Sequence, residues 1–268
     1  MRAWAFAAKL LAGGNADRSG AGVLSSVEFG PNGSVVQKDQ AAVDGIKQEL
    51  ARKEHAYPDG KTRSVAAFAR IARIGLIAWI CGLLIQLVMV AGYFFTPGLL
   101  PGFFYEWNGN ENLNLAVVAG AVTGLIALTT FFFVARFTYR AQKNLFTVGS
   151  PHAKMPPGWT VGWYFIPIAS LWQPVLGMSQ IWRGTYEAVG EKARGSSPIP
   201  VWWGCWLAMN VPDWFAQIWP DALVMQFALA AAGTALGIVA SLALMRILAR
   251  VAERQEVFLH GGVATVFD

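Results

Sequence analysis

The chain has 268 residues, of which 55% are hydrophobic and 14% are charged, with a net charge of +5 and a mean hydropathy of +0.42. A soluble domain carries about 25% charged residues, so this composition excludes a surface that faces water everywhere, and it also excludes intrinsic disorder. With two cysteines the chain has too few for a disulfide scaffold or a cysteine-based zinc cluster. Lipid must therefore cover part of the molecule.

Residues 1–63 form a polar, glycine-rich segment that we expect to be a cytoplasmic arm. The turn tripeptide Pro31-Asn32-Gly33 predicts a small hairpin. Asp39 is a candidate cap for a short helix that ends near Glu54. Two interpretations stay open, a loosely ordered tail and an arm that docks a partner.

Four apolar windows are long enough to cross a bilayer, which needs about 20 apolar residues. They predict helices over about 74–95, 113–135, 200–219 and 222–246, with Asp213 near the end of the third. A further apolar window is interrupted by Pro167 and Pro174, which preclude one continuous helix. The sequence therefore predicts an all-α membrane protein. It has four transmembrane helices in two hairpins, and the proline-broken re-entrant or interfacial segment 156–190 lies between the hairpins.

The basic residues are confined to three stretches of the chain. All 21 lie before Ile74, between Arg136 and Pro200, or after Met245, whereas the two remaining connections carry only acids. By the positive-inside rule, both termini and the middle segment are cytoplasmic. The membrane domain is then 64–256 and the cytoplasmic tail is 257–268. The same rule explains the positive net charge, and no basic run interleaved with aromatic residues indicates a nucleic-acid partner.

Tryptophan is concentrated in the middle segment and in the window after it, because nine of the 12 lie between Trp159 and Trp219. Indole rings favour the membrane interface, so anchoring accounts for such a concentration, and an aromatic cavity for a lipid or amphipathic ligand is the alternative. We predict that aromatic residues of this segment grip an acyl chain or a partner helix, while a cation meets phosphate or carboxylate. The predicted binding residues are Trp159, Trp163, Trp172, Trp182 and Arg183.

Two pairs of glycines lie in the middle of predicted spans. Gly120 and Gly124 are four residues apart in the second span, as are Gly233 and Gly237 in the last. Such small-xxx-small pairs permit close approach of two helix backbones in a membrane. The spacing predicts that the two hairpins pack through these glycines.

The middle segment also carries a family resemblance, in four short motifs and in nearby single residues. The motifs are Pro157-Gly158-Trp159, Val161-Gly162-Trp163, Phe165-Ile166-Pro167 and Leu171-Trp172-Gln173-Pro174, with Arg140 and Asn144 before them and Trp202, Trp203 and Trp206 after them. Over roughly residues 70–250 the chain resembles an uncharacterised bacterial integral-membrane family, domain of unknown function 4328. The resemblance implies a multi-pass protein of the bacterial inner membrane, and it brings no established activity.

The sequence contains few features that indicate catalysis. His55, His152 and His260 lie outside the spanning windows and are too dispersed for a metal motif, so we expect no metal and no cofactor. Cys81 and Cys205 are expected to be packing residues. No phosphate-binding loop or nucleophile elbow appears, and we expect no catalytic residues.

Three functional hypotheses remain open. The first is a non-enzymatic accessory subunit, scaffold or sensor that binds lipid, a membrane protein partner or a second copy of itself. The second is a small transporter or channel, because broken helices often line transport pathways. The third is a lipid-acting enzyme, for which Asp213, His152 and Glu187 are the available groups.

Overall fold

The computed structural model describes residues 40–95, 115–191, 198–216 and 223–260, and these residues form helices and turns without a strand. The chain divides into two compact units, Met1–Ala51 and Arg52–Asp268. The hairpin predicted near Pro31 and the end of the tail lie outside the described residues. The α-helices are α1 (Gln40–His55), α2 (Ala66–Phe95), α3 (Leu115–Thr147), α4 (Pro157–Gly162), α5 (Gln173–Ala188), α6 (Ile199–Ala208), α7 (Val211–Ala216) and α8 (Leu223–His260).

Three helices are long and apolar enough to cross a membrane. The qualifying stretches are Ala66–Gly92 in α2, Val117–Thr147 in α3 and Val224–Val257 in α8. They agree with three of the predicted spans, but each helix continues well past its apolar window at the charged end. The continuation is stabilised by packing, since Ala72, Leu145 and Val251 in these extensions are completely buried.

The remaining predicted span, 200–219, is not one continuous helix. The chain forms α6 and then α7, separated by a turn at Met209 and Asn210. Pro212 accounts for the break, because its nitrogen cannot donate to the carbonyl of Ala208 and its ring would crowd that carbonyl. The carbonyl of Met209 lies against α8 at Gly233, where an added Cβ would be 3.2 Å from the oxygen.

The α2 and α3 helices pack antiparallel through glycines on one helix and threonines on the other. A Cβ on Gly75 would overlap Thr130, and a Cβ on Gly82 would lie 2.6 Å from Thr123 Oγ1. Each threonine hydroxyl donates to a carbonyl of its own helix, Thr123 to Ala119 at 2.8 Å and Thr130 to Ile126 at 2.7 Å. The helices therefore fit by shape, and the hydroxyls do not link them.

The predicted glycine pairs have different roles in the structure. Gly120 faces Gln86 of α2, whereas a Cβ on Gly124 would meet nothing within 4 Å, so the close approach predicted there is not found. Gly233 faces Met209 and Pro212, which lie at the break between α6 and α7. Gly237 faces Leu83 and Trp79 of α2. Among these four glycines, Gly237 is the one that lies where α8 faces α2.

The charged ends of the three long helices lie together, and we call this the basic end. Asn144 near the end of α3 accepts a hydrogen bond from the backbone nitrogen of Arg63 at 2.9 Å, and its amide donates to the carbonyl of Arg63 at 2.8 Å. Ser64, just before α2, donates to Glu256 near the end of α8. The start of α2 and the ends of α3 and α8 therefore meet at one end of the bundle.

Candidate functional site

The proline-rich middle segment folds as a short helix, two 3-10 turns and the longer helix α5. The first helix, α4, ends at Gly162, and 3-10 turns follow over Trp163–Phe165 and Ala169–Leu171. Ser170 stabilises the turn between them, because its backbone nitrogen donates to the carbonyl of Ile166 and its hydroxyl donates to the carbonyl of Pro167, each at 2.7 Å. Part of the backbone hydrogen bonding that the prolines interrupt is thus replaced by bonds within the segment.

Two glutamines attach this segment to α3 and to the loop before it. Gln180 Oε1 accepts hydrogen bonds from the nitrogens of Lys154 at 3.2 Å and Met155 at 2.9 Å. Gln142 Nε2 donates to the carbonyl of Met155 at 2.8 Å and to Gln180 Oε1 at 3.3 Å. These bonds fix α5 against α3, which places the aromatic residues of the 3-10 turns.

An aromatic cavity lies where the middle segment meets the long helices. Its cavity volume is about 60 Å³, and the empty space that also includes its open mouth is about 500 Å³. The lining residues come from α2, α3, the middle segment, α6 and α8. They are Leu76, Trp79, Ala127, Thr130, Phe131, Val134, Tyr164, Trp202, Trp203, Trp206 and Leu244.

Tyr164 is the member of the lining that the middle segment supplies. Its ring lies between Phe131 of α3 and Trp203 of α6, edge to face with each, at centroid distances of 5.6 and 5.7 Å. Its hydroxyl is enclosed and has no hydrogen-bond partner among the described residues. Trp203 holds the same segment from the other side, because its indole nitrogen donates to the carbonyl of Leu171 at 3.0 Å.

The cavity lies just inside the charged residues of the basic end. Leu76 is three residues past Arg73, and Leu244 is two residues before Arg246. Because an α-helix rises about 1.5 Å per residue, these lining residues are within about 5 Å of the first cations along their helices. The cavity therefore begins at the outermost turns of the apolar part of the bundle and extends inward to Trp79 and Ala127.

The five predicted binding residues do not form one site. Trp159 stacks on Trp163 at 4.7 Å, and Trp182 stacks on Tyr186 at 4.8 Å. Trp172 stands at the start of α5, about 15 Å along the helix from Trp182. Arg183 is exposed. The structure thus forms two different ring pairs, Trp159 with Trp163 and Trp182 with Tyr186, and Tyr186 contacts Arg254 at the basic end.

The exposed face of the middle segment is apolar. Phe165 and Ile168 are 70% and 72% exposed, and Trp159, Leu171 and Trp172 are each about half exposed. Side chains of this size are costly to expose to water, because each loses the favourable free energy of apolar burial. The face suits contact with acyl chains.

Two aromatic rings at the basic end, Phe68 and Tyr57, lie against cations. Arg140 lies 4.8 Å from the ring centre of Phe68, and Lys143 and Arg63 lie 4.6 and 4.7 Å from that of Tyr57. Burial raises the pKa of the Tyr57 hydroxyl above its ordinary value, against the lowering effect of Arg140 and Arg63. The ring therefore stays neutral. No sequence spacing connects these residues, which come from three separate segments.

The groups considered for chemistry are distributed as follows. His152 Nε2 lies 2.8 Å from Glu187 Oε2, which pairs two of the three candidates, and the side chain of Asp213 is outside the described residues. Across the described ranges, no three His, Cys, Asp or Glu residues are grouped so that they could hold a metal ion. Cys81 is exposed on α2 and Cys205 is part-buried, so Cys81 does not pack inside the described bundle.

The three long apolar helices are typical of a helical membrane protein. Within that class the chain belongs to the family described as Domain of unknown function (DUF4328), whose model matches residues 106–253. The match runs from before α3 into α8 and confirms the resemblance seen in the middle segment. No curated protein and no solved structure matches the chain.

Proposed function

We propose that this chain is a non-enzymatic accessory or sensory protein of the bacterial inner membrane. It crosses the bilayer four times and binds lipid through its middle segment. The observation that carries the proposal is the two-sided character of that segment. It supplies Tyr164 to an internal cavity while it exposes Trp159, Phe165 and Trp172 on its outer face.

The packing directions support four crossings. The ends of α3 and α8 meet at the basic end, and α8 begins at the opposite end of its own length. The chain between Thr147 and Leu223 must therefore pass from one end of the bundle to the other. The α6 and α7 helices supply this passage, because Met209 and Pro212 lie along α8 at Gly233. With the basic end cytoplasmic, both termini are cytoplasmic.

Labelling of single cysteines tests this topology. In a variant that lacks Cys81 and Cys205, cysteines at Lys192 and Ala264 should react with a membrane-impermeant maleimide only after the membrane is opened. A cysteine at Asn108 should react in intact cells. Labelling of Lys192 and Ala264 from opposite sides would contradict the four crossings.

Lipid is the occupant that the exposed face favours. The lining residues Leu76 and Leu244 stand within one helical turn of Arg73 and Arg246, near the level where acyl chains meet headgroups. The cations around Tyr57 and Phe68 add attraction to anionic headgroups, at roughly 1 kcal/mol for each basic residue near the surface. A partner protein on the same face is an alternative outcome of the test.

A non-enzymatic role is supported by how the available groups are used. His152 and Glu187 bind each other and join the loop after α3 to α5, which is a structural use. A small transporter is the second candidate, and the break between α6 and α7 favours it, because interrupted helices line transport pathways. Solute flux into proteoliposomes would support transport.

Lipid retention tests the proposed function. The full-length protein is purified in mild detergent, and the bound phospholipid is counted by native mass spectrometry. Alanine at Trp163 or Trp172 should reduce the retained lipid. Alanine at Trp214, which is 77% exposed on α7, should not. Equal retention in all three variants would contradict lipid binding by the middle segment, and a bound protein in place of lipid would favour a scaffold.

A further inference from the structure

Two guanidinium groups share one aromatic ring at the basic end. Arg140 and Arg136 lie one turn apart on α3, at 4.8 and 5.9 Å from the ring centre of Phe68 on α2. Among the described residues, neither guanidinium forms an ion pair with a carboxylate. Two like charges on neighbouring positions of a helix repel each other. An anion from outside the described chain would relieve this repulsion.

The surroundings of this pair are also positive. Lys143 and Arg63 lie 4.6 and 4.7 Å from the centre of the Tyr57 ring. The acids bonded in this part of the described chain are Asp59, which pairs with Arg63 at 3.3 Å, and Glu256, which accepts a hydrogen bond just before α2. Four cations beside two acids leave an excess of two positive charges. We call the four the cation cluster: Arg63, Arg136, Arg140 and Lys143.

The two arginines of α3 present donors that suit a phosphate group. Arg140 Nη1 donates to the carbonyl of Ser64 at 3.0 Å, which fixes its guanidinium beside the ring. A guanidinium has five N–H donors, so this bond leaves others for a ligand. Arg136 is exposed. Two neighbouring guanidinium groups match the oxygens of a phosphate, which accept paired N–H donors.

The level of these arginines along α3 indicates a lipid as the source of the phosphate. Arg136 is the first charged residue after the charge-free stretch that begins past Glu111. Arg140 lies one turn further out, about 6 Å along the helix. The polar headgroup layer on each side of a bilayer is about 5–7 Å thick. The two guanidinium groups therefore span the layer in which lipid phosphates lie.

We propose that the cation cluster binds the headgroup phosphate of an anionic phospholipid between Arg136 and Arg140. This inference rests on the proposed lipid binding, and it adds a site with its own headgroup chemistry apart from the middle segment. An anionic headgroup compensates the excess positive charge of the cluster, whereas a zwitterionic headgroup carries no net charge to do so. A soluble phosphate ion offers the same oxygens, and the experiment separates the two sources.

Competition between two lipids tests the proposal. The full-length protein in mild detergent is equilibrated with equal amounts of phosphatidylglycerol and phosphatidylcholine, and the bound lipids are counted by native mass spectrometry. The wild type should retain phosphatidylglycerol preferentially. Arg136→Gln should lower this preference about fivefold, the effect of one basic residue near an anionic surface. Its unfolding temperature should change little, because the side chain is exposed.

Two further variants separate a defined site from diffuse attraction. Arg246→Gln removes the same charge from the exposed first cation after the apolar window of α8, and it should change the preference by less than about twofold. Arg140→Lys keeps the charge, but an ammonium cannot hold the Ser64 carbonyl and a phosphate in the same planar geometry. It should lower the preference by about twofold.

Three results would overturn the inference. Equal losses in Arg136→Gln and Arg246→Gln would show diffuse attraction without a site. Displacement of the lipid by millimolar inorganic phosphate, but not by chloride at the same ionic strength, would identify a soluble phosphate as the ligand. Release of a co-purified protein from Arg136→Gln would identify a protein partner. The total lipid count of Trp172→Ala reports on the middle segment, so failure of this site is distinguishable from failure of the proposed function.

Discussion

Asn144 Nδ2 donates a hydrogen bond of 2.9 Å to Gln255 Oε1, across 111 residues of sequence. Both side chains are almost completely buried, at 1% and 2% exposure. Gln255 Nε2 in turn donates to Thr185 Oγ1 at 3.0 Å and to the carbonyl of Ala141 at 3.2 Å. The two amides thereby connect α3, α5 and α8 at the basic end, and Asn144 adds the backbone before α2.

Replacing Asn144 with leucine should destabilise the protein by about 3 kcal/mol, because Gln255 and the backbone of Arg63 lose their buried partners. The measurement is the shift in thermal unfolding of the detergent-solubilised protein. Asn210 provides the matched control, since its exposed amide donates only to Trp206 in the preceding helix. Asn210→Leu should change stability by about 0.5 kcal/mol or less. Equal shifts in both variants would show that the buried network contributes nothing.

Alanine at Gly75 or Gly82 should destabilise the α2–α3 pair by about 1–3 kcal/mol through overpacking. The facing threonines cannot turn away cheaply, because their β-branched side chains are stiff and their hydroxyls are bonded to their own helix. Gly124→Ala is the control in α3, where an added Cβ meets open space. Thermal unfolding of the three variants checks the difference, and a Gly124 variant as unstable as the others would disprove this account of the interface.

Arg254→Lys should lower stability by about 1 kcal/mol although the charge is kept. The guanidinium lies 4.1 Å from the ring centre of Tyr186, and its Nε donates to Glu191 at 3.0 Å. A lysine ammonium reproduces neither the stacked plane nor this geometry. Arg250→Lys, whose ion pair with Glu253 is exposed, should change stability by less than about 0.5 kcal/mol. Unfolding curves of the two variants at two salt concentrations measure this difference. Equal stability of the two variants would show that the stacking of Arg254 on Tyr186 does not contribute.

Trp203→Phe should destabilise the protein by about 1 kcal/mol and loosen the turn of the middle segment, because Leu171 loses its indole donor. The phenylalanine keeps most of the contact with Tyr164. Trp214→Phe is the control for loss of an exposed indole. The readouts are thermal unfolding and amide hydrogen exchange over residues 166–172. Unchanged exchange in this turn would contradict the anchoring role of Trp203.

The sequence predicted the three long helices because charge-free windows report directly on what a bilayer covers. The helices extend past these windows, and the extensions at Ala72 and Leu145 are held by burial against other helices, which hydropathy does not report. The break between α6 and α7 had a visible signal in Pro212, which the apolar composition of the window concealed. The short helix predicted to end near Glu54 is found over Gln40–His55, and its candidate cap Asp39 lies outside the described residues.

The candidate site was predicted less completely from the sequence than the helices were. The Trp residues of the middle segment were recognised, but which of them stack together depends on the direction of the chain after Gly162. Gly75 and Gly82 are seven residues apart, as are Thr123 and Thr130, so the pairing did have a periodic signal. The pairing of Asn144 with Gln255 had no such signal, because a polar contact between distant segments leaves no local pattern.

The polar links at the basic end also restrict how the helices move. Hydrogen bonds among Asn144, Gln255 and Thr185 join three helices at the same end. If α3 and α8 separate while these bonds stay intact, the helices must rotate apart about this end. The displacement grows with distance from that pivot. Splaying of the bundle therefore widens the opposite leaflet first and leaves the cation-bearing rim closed.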